Sequence, residues 1–283
     1  MKILFFPISV HCWGGLGSQL FAWAIVEKLK IKFPNRRVRI ILHTSGVTER
    51  FSEIDFLSNE LTIKKISDFK SLTNGSRLFG KLSKALFISG MISNSNSDIE
   101  FESLKPWVLM LRGHYSYQSL STEIIYGLLK KYTDLNNESI SPFNSQIEGT
   151  LGIHYRLGDL LSLNTKSIIS PDQVGNSLLF CLGQNKINQI ILCSDSISQA
   201  LALLSPFMTD KYVVAPKASI LETIKILVEC QYFIGTNSKI SIWIILFRKV
   251  LDPNSFASIP LEMHTQIHQN IADSNLLNNI KYY

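Results

Sequence analysis

Residues 2 to 33 read "KILFFPISVHCWGGLGSQLFAWAIVEKLKIKF". An apolar run leads into three glycines, Gly14, Gly15 and Gly17, and apolar residues then recur at helical spacing as far as Phe33. This predicts a strand, a Gly-rich turn and a helix over about residues 18 to 33. A second strand at "RVRIILHT", residues 37 to 44, completes a βαβ unit. Glycines let the backbone approach a ligand, and free amides at a helix start favour an anion. Gly14, Gly15, Gly17 and Gln19 are therefore candidate ligand-binding residues. The alternative is a plain strand-to-helix connection in which Ser18 is an ordinary N-cap.

A dinucleotide fingerprint fits this turn poorly. From Gly15 the G-x-G-x-x-G template meets Leu20 in place of its third glycine, and His43 and Thr44 end the second strand where a ribose-binding acid is expected. No GK[ST] follows, so a P-loop is excluded.

From Ser67 to Lys105 the pattern weakens, and "ISNSNSD", residues 92 to 98, reads as a polar low-complexity loop. A strand at "PWVLMLRGHY" and a helix at "TEIIYGLLKKY" follow, then a linker-like segment, "TDLNNESISPFNSQIEG". Beyond it the alternation is regular. Strands at "TLGIHYRLGD", "QIILCSD", "KYVVAP" and "QYFIGTN" are each followed by a helix, the last being "SKISIWIILFRKV". Such alternation implies parallel sheets covered by helices. The expected architecture is α/β, with two Rossmann-like doubly wound domains, 1–145 and 146–283, facing a cleft.

Apolar residues make up 46% of the 283 and charged ones 18%, enough for real cores and too little charge for disorder. The net charge of +6 suits an anionic ligand or surface, but the cations are scattered apart from short groups such as "NRRVR" and "FRK". No basic stripe with interleaved aromatics supports a nucleic-acid partner. Four cysteines without a CxxC pair suggest reduced core thiols and a cytoplasmic protein. The run "ISIWIILF" is too short to span a bilayer, which leaves room for peripheral contact with a membrane.

Ligands of doubly wound sheets sit where strands turn into helices. His154 and Arg156 share one face at the end of a strand in "GIHYRLGD", and Arg suits bidentate grip of a diphosphate. A structural pair of Arg156 with Asp159 is the alternative. Ser194 and Asp195 in "CSDS", and Asn237 and Ser238 in "GTNSK", are either ligand contacts or helix caps.

Five of these segments resemble, in order, motifs of the bacterial α-1,2-fucosyltransferases of glycosyltransferase family 11. "GGLGSQLFAWA" is similar to that family's "GGLGNQLFQYA", and "GIHYRLGD" to its H-x-R-x-G-D. "LRGHYSYQS" resembles its GYFQS segment, "ILCSDS" its FSDD, and "CQYFIGTNSKISIWIILF" its C-x-x-x-I-x-x-N-S-S-F-S-W-W stretch. Ser18, Lys239, Ile240 and Ile242 depart from the pattern.

The resemblance implies a GT-B fold and inverting transfer of fucose from GDP-fucose to a hydroxyl, in α-1,2 linkage to a galactose-type residue. The acceptor it implies is an oligosaccharide or lipid-linked glycan such as an O-antigen repeat unit, met in the cytoplasm or at the cytoplasmic face of the inner membrane. It also implies no cofactor and no metal. Carried over, Arg156 holds the donor diphosphate with His154 beside it, Asn237 and Ser238 line the donor pocket, and Gly14, Gly15 and Gly17 form a loop over the cleft. Asp159 is the first candidate for a general base, with His154 or His11 behind it. A transferase of another nucleotide sugar and a non-catalytic nucleotide- or dinucleotide-binding module are the alternatives.

Overall fold

The computed structural model describes residues 6–44, 51–66, 84–134, 147–158, 168–208 and 212–283. The chain divides into two compact units, Met1–Asn136 and Asn137–Tyr283. This division and the expected one after residue 145 both fall within 135–146, outside the described residues.

Unit 1 opens with β1 (Ile8–Trp13), α1 (Leu16–Lys32) and β2 (Val38–His43), then β3 (Thr62–Ile66) and β4 (Ile92–Asn94). It continues through α2 (Asp98–Glu102), β5 (Met110–Arg112) and α3 (Thr122–Asp134). Its five strands lie in the order β3-β2-β1-β5-β4, every pairing parallel. β3 and β4 are additions to the sequence expectation. "TIKKI" lies at a sheet edge with no residue fully buried, so it lacks the apolar run that marks an interior strand. "ISNSNSD" is not simply a loop, since Ile92–Asn94 pair with β5 and Ser97 caps α2 by accepting from Glu100 N. Gln118 Nε2 donates to the carbonyl of buried Ser95 at 2.9 Å.

Unit 2 comprises β6 (Ile147–His154), α4 (Pro171–Gln184), β7 (Gln189–Cys193), α5 (Ile197–Leu204) and β8 (Tyr212–Val214). The second half runs α6 (Ile220–Glu229), β9 (Cys230–Gly235), α7 (Lys239–Leu251), β10 (Phe256–Ile259), α8 (His264–Asn270) and β11 (Ile280–Tyr282). Capping boxes start α4 at Ser170 with Gln173 and α6 at Ser219 with Glu222, which satisfies amides the helices leave open. The sheet order is β11-β10-β9-β6-β7-β8, all parallel, so the chain builds outward first on one side of β6 and then on the other.

Successive residues of β6 face opposite helix layers. Leu151 and Ile153 pack in a core with Val174, Leu178 and Leu204 of α4 and α5. On the other face a Cβ on Gly152 would meet Leu227 of α6 at 2.7 Å, so glycine permits the close approach. All four cysteines are buried and free, and burial pushes the Cys181 and Cys230 thiols up to about 12.

Three cations of the two basic groups noted in the sequence serve the interior. Arg36 of "NRRVR" donates Nη2 to the carbonyls of Phe6 and Val108, each at 2.9 Å. Arg248 and Lys249 of "FRK" are buried in α7. Arg248 donates to the carbonyls of Val228, Gln231 and Phe256, and Lys249 Nζ to those of Pro253 and Ser255. A buried cation needs such acceptors to offset its desolvation, and these three cations are not available to a ligand.

Candidate functional site

In unit 2 the strand order reverses between β6 and β9, and the crevice at the carboxyl ends of such neighbours is where doubly wound sheets bind ligands. His154 and Gly235, the last residues of the two strands, are register partners. The turn after β6 is held from both sides. Thr236 Oγ1 accepts from Arg156 N at 3.0 Å and donates to the His154 carbonyl at 3.0 Å. Asp195 Oδ1, from the end of β7, accepts from Leu157 N and Gly158 N, each at 2.9 Å. A Cβ on Gly158 would overlap the Asp195 carboxylate, so the turn needs glycine there. The Arg156 backbone is thus fixed, while its side chain is only partly buried.

His154 lies beneath this turn. Its ring is 5% exposed and its Nδ1 is 2.8 Å from Ser241 Oγ, which also accepts from Thr236 N at 3.2 Å. Burial and, less strongly, the Arg156 charge lower its pKa to about 4 against an opposing pull from Asp195, so it is neutral at neutral pH. It braces β6 against α7. Ser238 is the N-cap of α7, its hydroxyl accepting from Ile240 N at 3.2 Å, and Asn237 beside it is half-buried. Ser194 Oγ accepts from Ser196 N at 3.0 Å. Asp159 lies outside the described residues.

Unit 1 has its own reversal, between β1 and β5. Gly14 has φ 105, a conformation that favours glycine, and Gly15 is the N-cap of α1. The amide expected to meet an anion already has one, because Leu16 N donates to Glu53 Oε2 at 2.5 Å. Gln19 is buried and closes the same turn, donating to the carbonyls of Gly14 and Phe51 and accepting from Glu53 N. Gly17 is buried in the first turn of α1.

Beside this turn His11 Nδ1 is 2.8 Å from His43 Nε2, and Trp13 stacks on His43 with ring centroids 4.2 Å apart. The Arg112 guanidinium is 5.9 Å from the Trp13 ring, and Tyr115 Oη donates to the His11 carbonyl at 2.7 Å. The pKa values of both histidines fall to about 4. For His11 the causes are burial first, then His43 and Arg112; for His43 they are burial, then Arg112. Arg112, Gly113 and His114 come from "LRGHYSYQS", and Asn96 Oδ1 of the supposed polar loop accepts from His114 N at 2.8 Å.

Among the candidate residues, unit 2 gathers His154, Arg156, Asp195, Asn237 and Ser238 at the ends of neighbouring strands, with Ser194 beside Asp195. Unit 1 gathers Gly14, Gly15, Gly17 and Gln19 in one turn. Sequence reasoning missed Glu53, Thr236, Ser241 and Tyr283, whose phenol donates to the Gly235 carbonyl at 2.7 Å. Thr236 lies within the quoted "GTNSK" and Ser241 two residues beyond it, so both could have been found from it. Glu53 and Tyr283 are remote in sequence and gave no local signal.

No family model matches the chain and no curated protein matches it. Solved structures similar to it include POFUT1 in complex with GDP-fucose, at 10% identity and TM-score 0.47 over 88% of this chain and 95% of that one. Another is the E. coli heptosyltransferase WaaC with ADP, at 10% identity and TM-score 0.49 over 98% and 93%. A glycosyl transferase of family 9 from Veillonella parvula is similar at 8% identity and TM-score 0.43 over 92% and 81%. The likeness to the α-1,2-fucosyltransferases is therefore carried by the five sequence segments.

Proposed function

We propose that the protein is a glycosyltransferase of GT-B type that binds a nucleotide-sugar donor at the strand-order reversal of unit 2. The observation that carries this is Arg156. It is the cation on a turn whose backbone is locked by Thr236 and Asp195 at the carboxyl ends of β6 and β9. As the sugar leaves, negative charge builds on the departing diphosphate. A guanidinium carried on a locked turn stabilises that charge more in the transition state than before it. The amino end of α7, capped by Ser238, adds a dipole of the same sign.

Asp195 also weighs against a dinucleotide module. An acid after the second strand of a nucleotide-binding sheet commonly meets a ribose, but this one is committed to two backbone amides of the first turn.

Within this reading the donor is GDP-fucose and the product an α-1,2-linked fucose on a galactose-type residue of a bacterial surface glycan. Transfer is inverting and metal-independent, and takes place in the cytoplasm. Its support is the five motif segments, of which "GIHYRLGD" supplies Arg156. Asp159 is the proposed base for the acceptor hydroxyl.

The test is thermal unfolding with GDP-fucose, GDP-mannose, a UDP-sugar, an ADP-sugar and NAD, followed by assay of released nucleotide with a galactoside acceptor. A GDP-sugar at a hundred times its Kd is expected to stabilise by about 2.7 kcal/mol, and acceptor-dependent GDP release is expected with GDP-fucose. Stabilisation by NAD alone, or nucleotide binding without release, would overturn the proposal.

A further inference from the structure

The amino ends of the unit 1 strands, opposite the ends that carry the His11, His43 and Arg112 cluster, present a different surface. Phe6 precedes β1, Phe87 and Ile88 precede β4, and Trp107 precedes β5. They are 61%, 37%, 79% and 43% exposed. Hydrogen bonds and close packing join them into one patch. The buried Arg36 guanidinium holds the carbonyls of Phe6, Pro106 and Val108. Trp107 Nε1 donates to the Ser89 carbonyl at 2.7 Å. A Cβ on Gly90 would lie 3.2 Å from Lys105 Cγ and 3.7 Å from Trp107 Nε1, so the lysine stem and the indole close over the turn after Ile88.

The segments that carry these side chains bear charge of one sign. Segments 6–10, 35–37, 84–92 and 103–109 contain Arg36, Arg37, Lys84 and Lys105 and no acidic residue. Arg37, Lys84 and Lys105 are exposed. The last turn of α1 brings the 73% exposed Ile31 to the same end, because α1 runs antiparallel to the strands it connects, with Lys30 paired to Glu27 and Lys32 to Glu102.

We propose that this end of unit 1 docks on the surface of an anionic lipid bilayer, inserting Phe6, Ile88 and Trp107 at headgroup level. Exposed large apolar side chains ringed by Lys and Arg gain from both burial and attraction to acidic headgroups, and an indole with its N–H satisfied suits that depth. A second copy of the chain is disfavoured as occupant, because a self-complementary contact would set Arg37, Lys84 and Lys105 against their own duplicates. This docking is independent of what unit 2 binds.

The experiment is co-sedimentation of the full chain with phosphatidylcholine vesicles, with and without a third of phosphatidylglycerol, at low and high salt. The chain is expected to partition onto the anionic vesicles at low salt and to leave them at high salt. The Ile88→Ser/Trp107→Ser and Lys84→Glu/Lys105→Glu pairs are each expected to lower partition at least about tenfold, with the low-salt tryptophan emission shift of the wild type lost. The lysine pair is exposed, so its unfolding midpoint should match the wild type and serves as the folding control. Absence of binding, equal binding to neutral vesicles, or variants that partition like the wild type would overturn the proposal. So would a concentration-dependent dimer abolished by Ile88→Ser, which would assign the patch to a second copy.

Discussion

The first strand-to-helix turns of the two units use one device toward different ends. In unit 1, Glu53, from the segment after β2, closes the turn after β1 by accepting from Leu16 N. In unit 2, Asp195, from the segment after β7, closes the turn after β6 by accepting from Leu157 N and Gly158 N. Each is an internal carboxylate on the amides of its sheet's first turn. The difference is what the turn then presents. The unit 1 turn offers Gly14, Gly15 and no cation of its own, with Glu53 lying where an anion would go. The unit 2 turn offers Arg156. A Gly-rich turn at a helix start therefore does not by itself make an anion site, because its amides can be satisfied from within the fold, whereas the unit 2 turn adds a guanidinium, a group suited to a diphosphate.

Variants that unbalance this comparison have a predictable order of effect. Arg156→Ala is expected to lower transfer at least about a hundredfold, the scale of removing one preorganised transition-state donor, with little change in unfolding midpoint. Arg156→Lys should fall close to it, because a point charge does not reproduce the guanidinium fork. Near-normal turnover on the donor in a steady-state assay would break the assignment. Asp195→Ala leaves two amides without their acceptor and is expected to cost about 2–3 kcal/mol in denaturant unfolding. Asp195→Asn, which keeps one acceptor oxygen, should cost less. The matching change in unit 1, Glu53→Ala, removes one acceptor at a helix start and should cost about 1 kcal/mol, leaving donor binding intact.

A further effect separates the units by pH. His11 and His43 in unit 1 and His154 in unit 2 have folded pKa values near 4, below the 6.5 of the unfolded chain. The unfolded state binds protons first, so stability is full above about pH 6.5 and is lost as pH falls toward 4. Unit 1, with two such groups, should lose more than unit 2, on the order of 1–2 kcal/mol between pH 7 and 5. Hydrogen exchange resolved by unit would measure it, and equal losses would contradict the pairing of His11 with His43.

The alternation of unit 2 was legible through α7 because its strands that far carry apolar runs and the helices at Ser170 and Ser219 begin with cap residues followed three positions later by Gln or Glu, whereas β10, α8 and β11 were not read. In unit 1 the opening βαβ unit, β5 and α3 were legible and the edge strands were not. Its edge strands β3 and β4 are short and polar, and their register comes from neighbours distant in sequence. At the site, Arg156 could be read from its place at the end of a buried strand. Ser238 could be read as a cap, but the duties of Asp195 and His154 could not, because they spend their side chains on the amides of Leu157 and Gly158 and on Ser241, partners that only the folded topology supplies. The same gap hid Glu53, and hid that Arg36 of "NRRVR" and Arg248 and Lys249 of "FRK" staple buried carbonyls.

The most direct test of the central claim is calorimetric titration of GDP into the wild type, Arg156→Ala and Glu53→Ala. If the diphosphate is held by the unit 2 turn, the wild type and Glu53→Ala bind alike and Arg156→Ala loses at least about tenfold in affinity, the scale of one charge-assisted hydrogen bond. Unchanged affinity in Arg156→Ala, with a changed one in Glu53→Ala, would place the diphosphate at the Gly-rich turn and contradict the account.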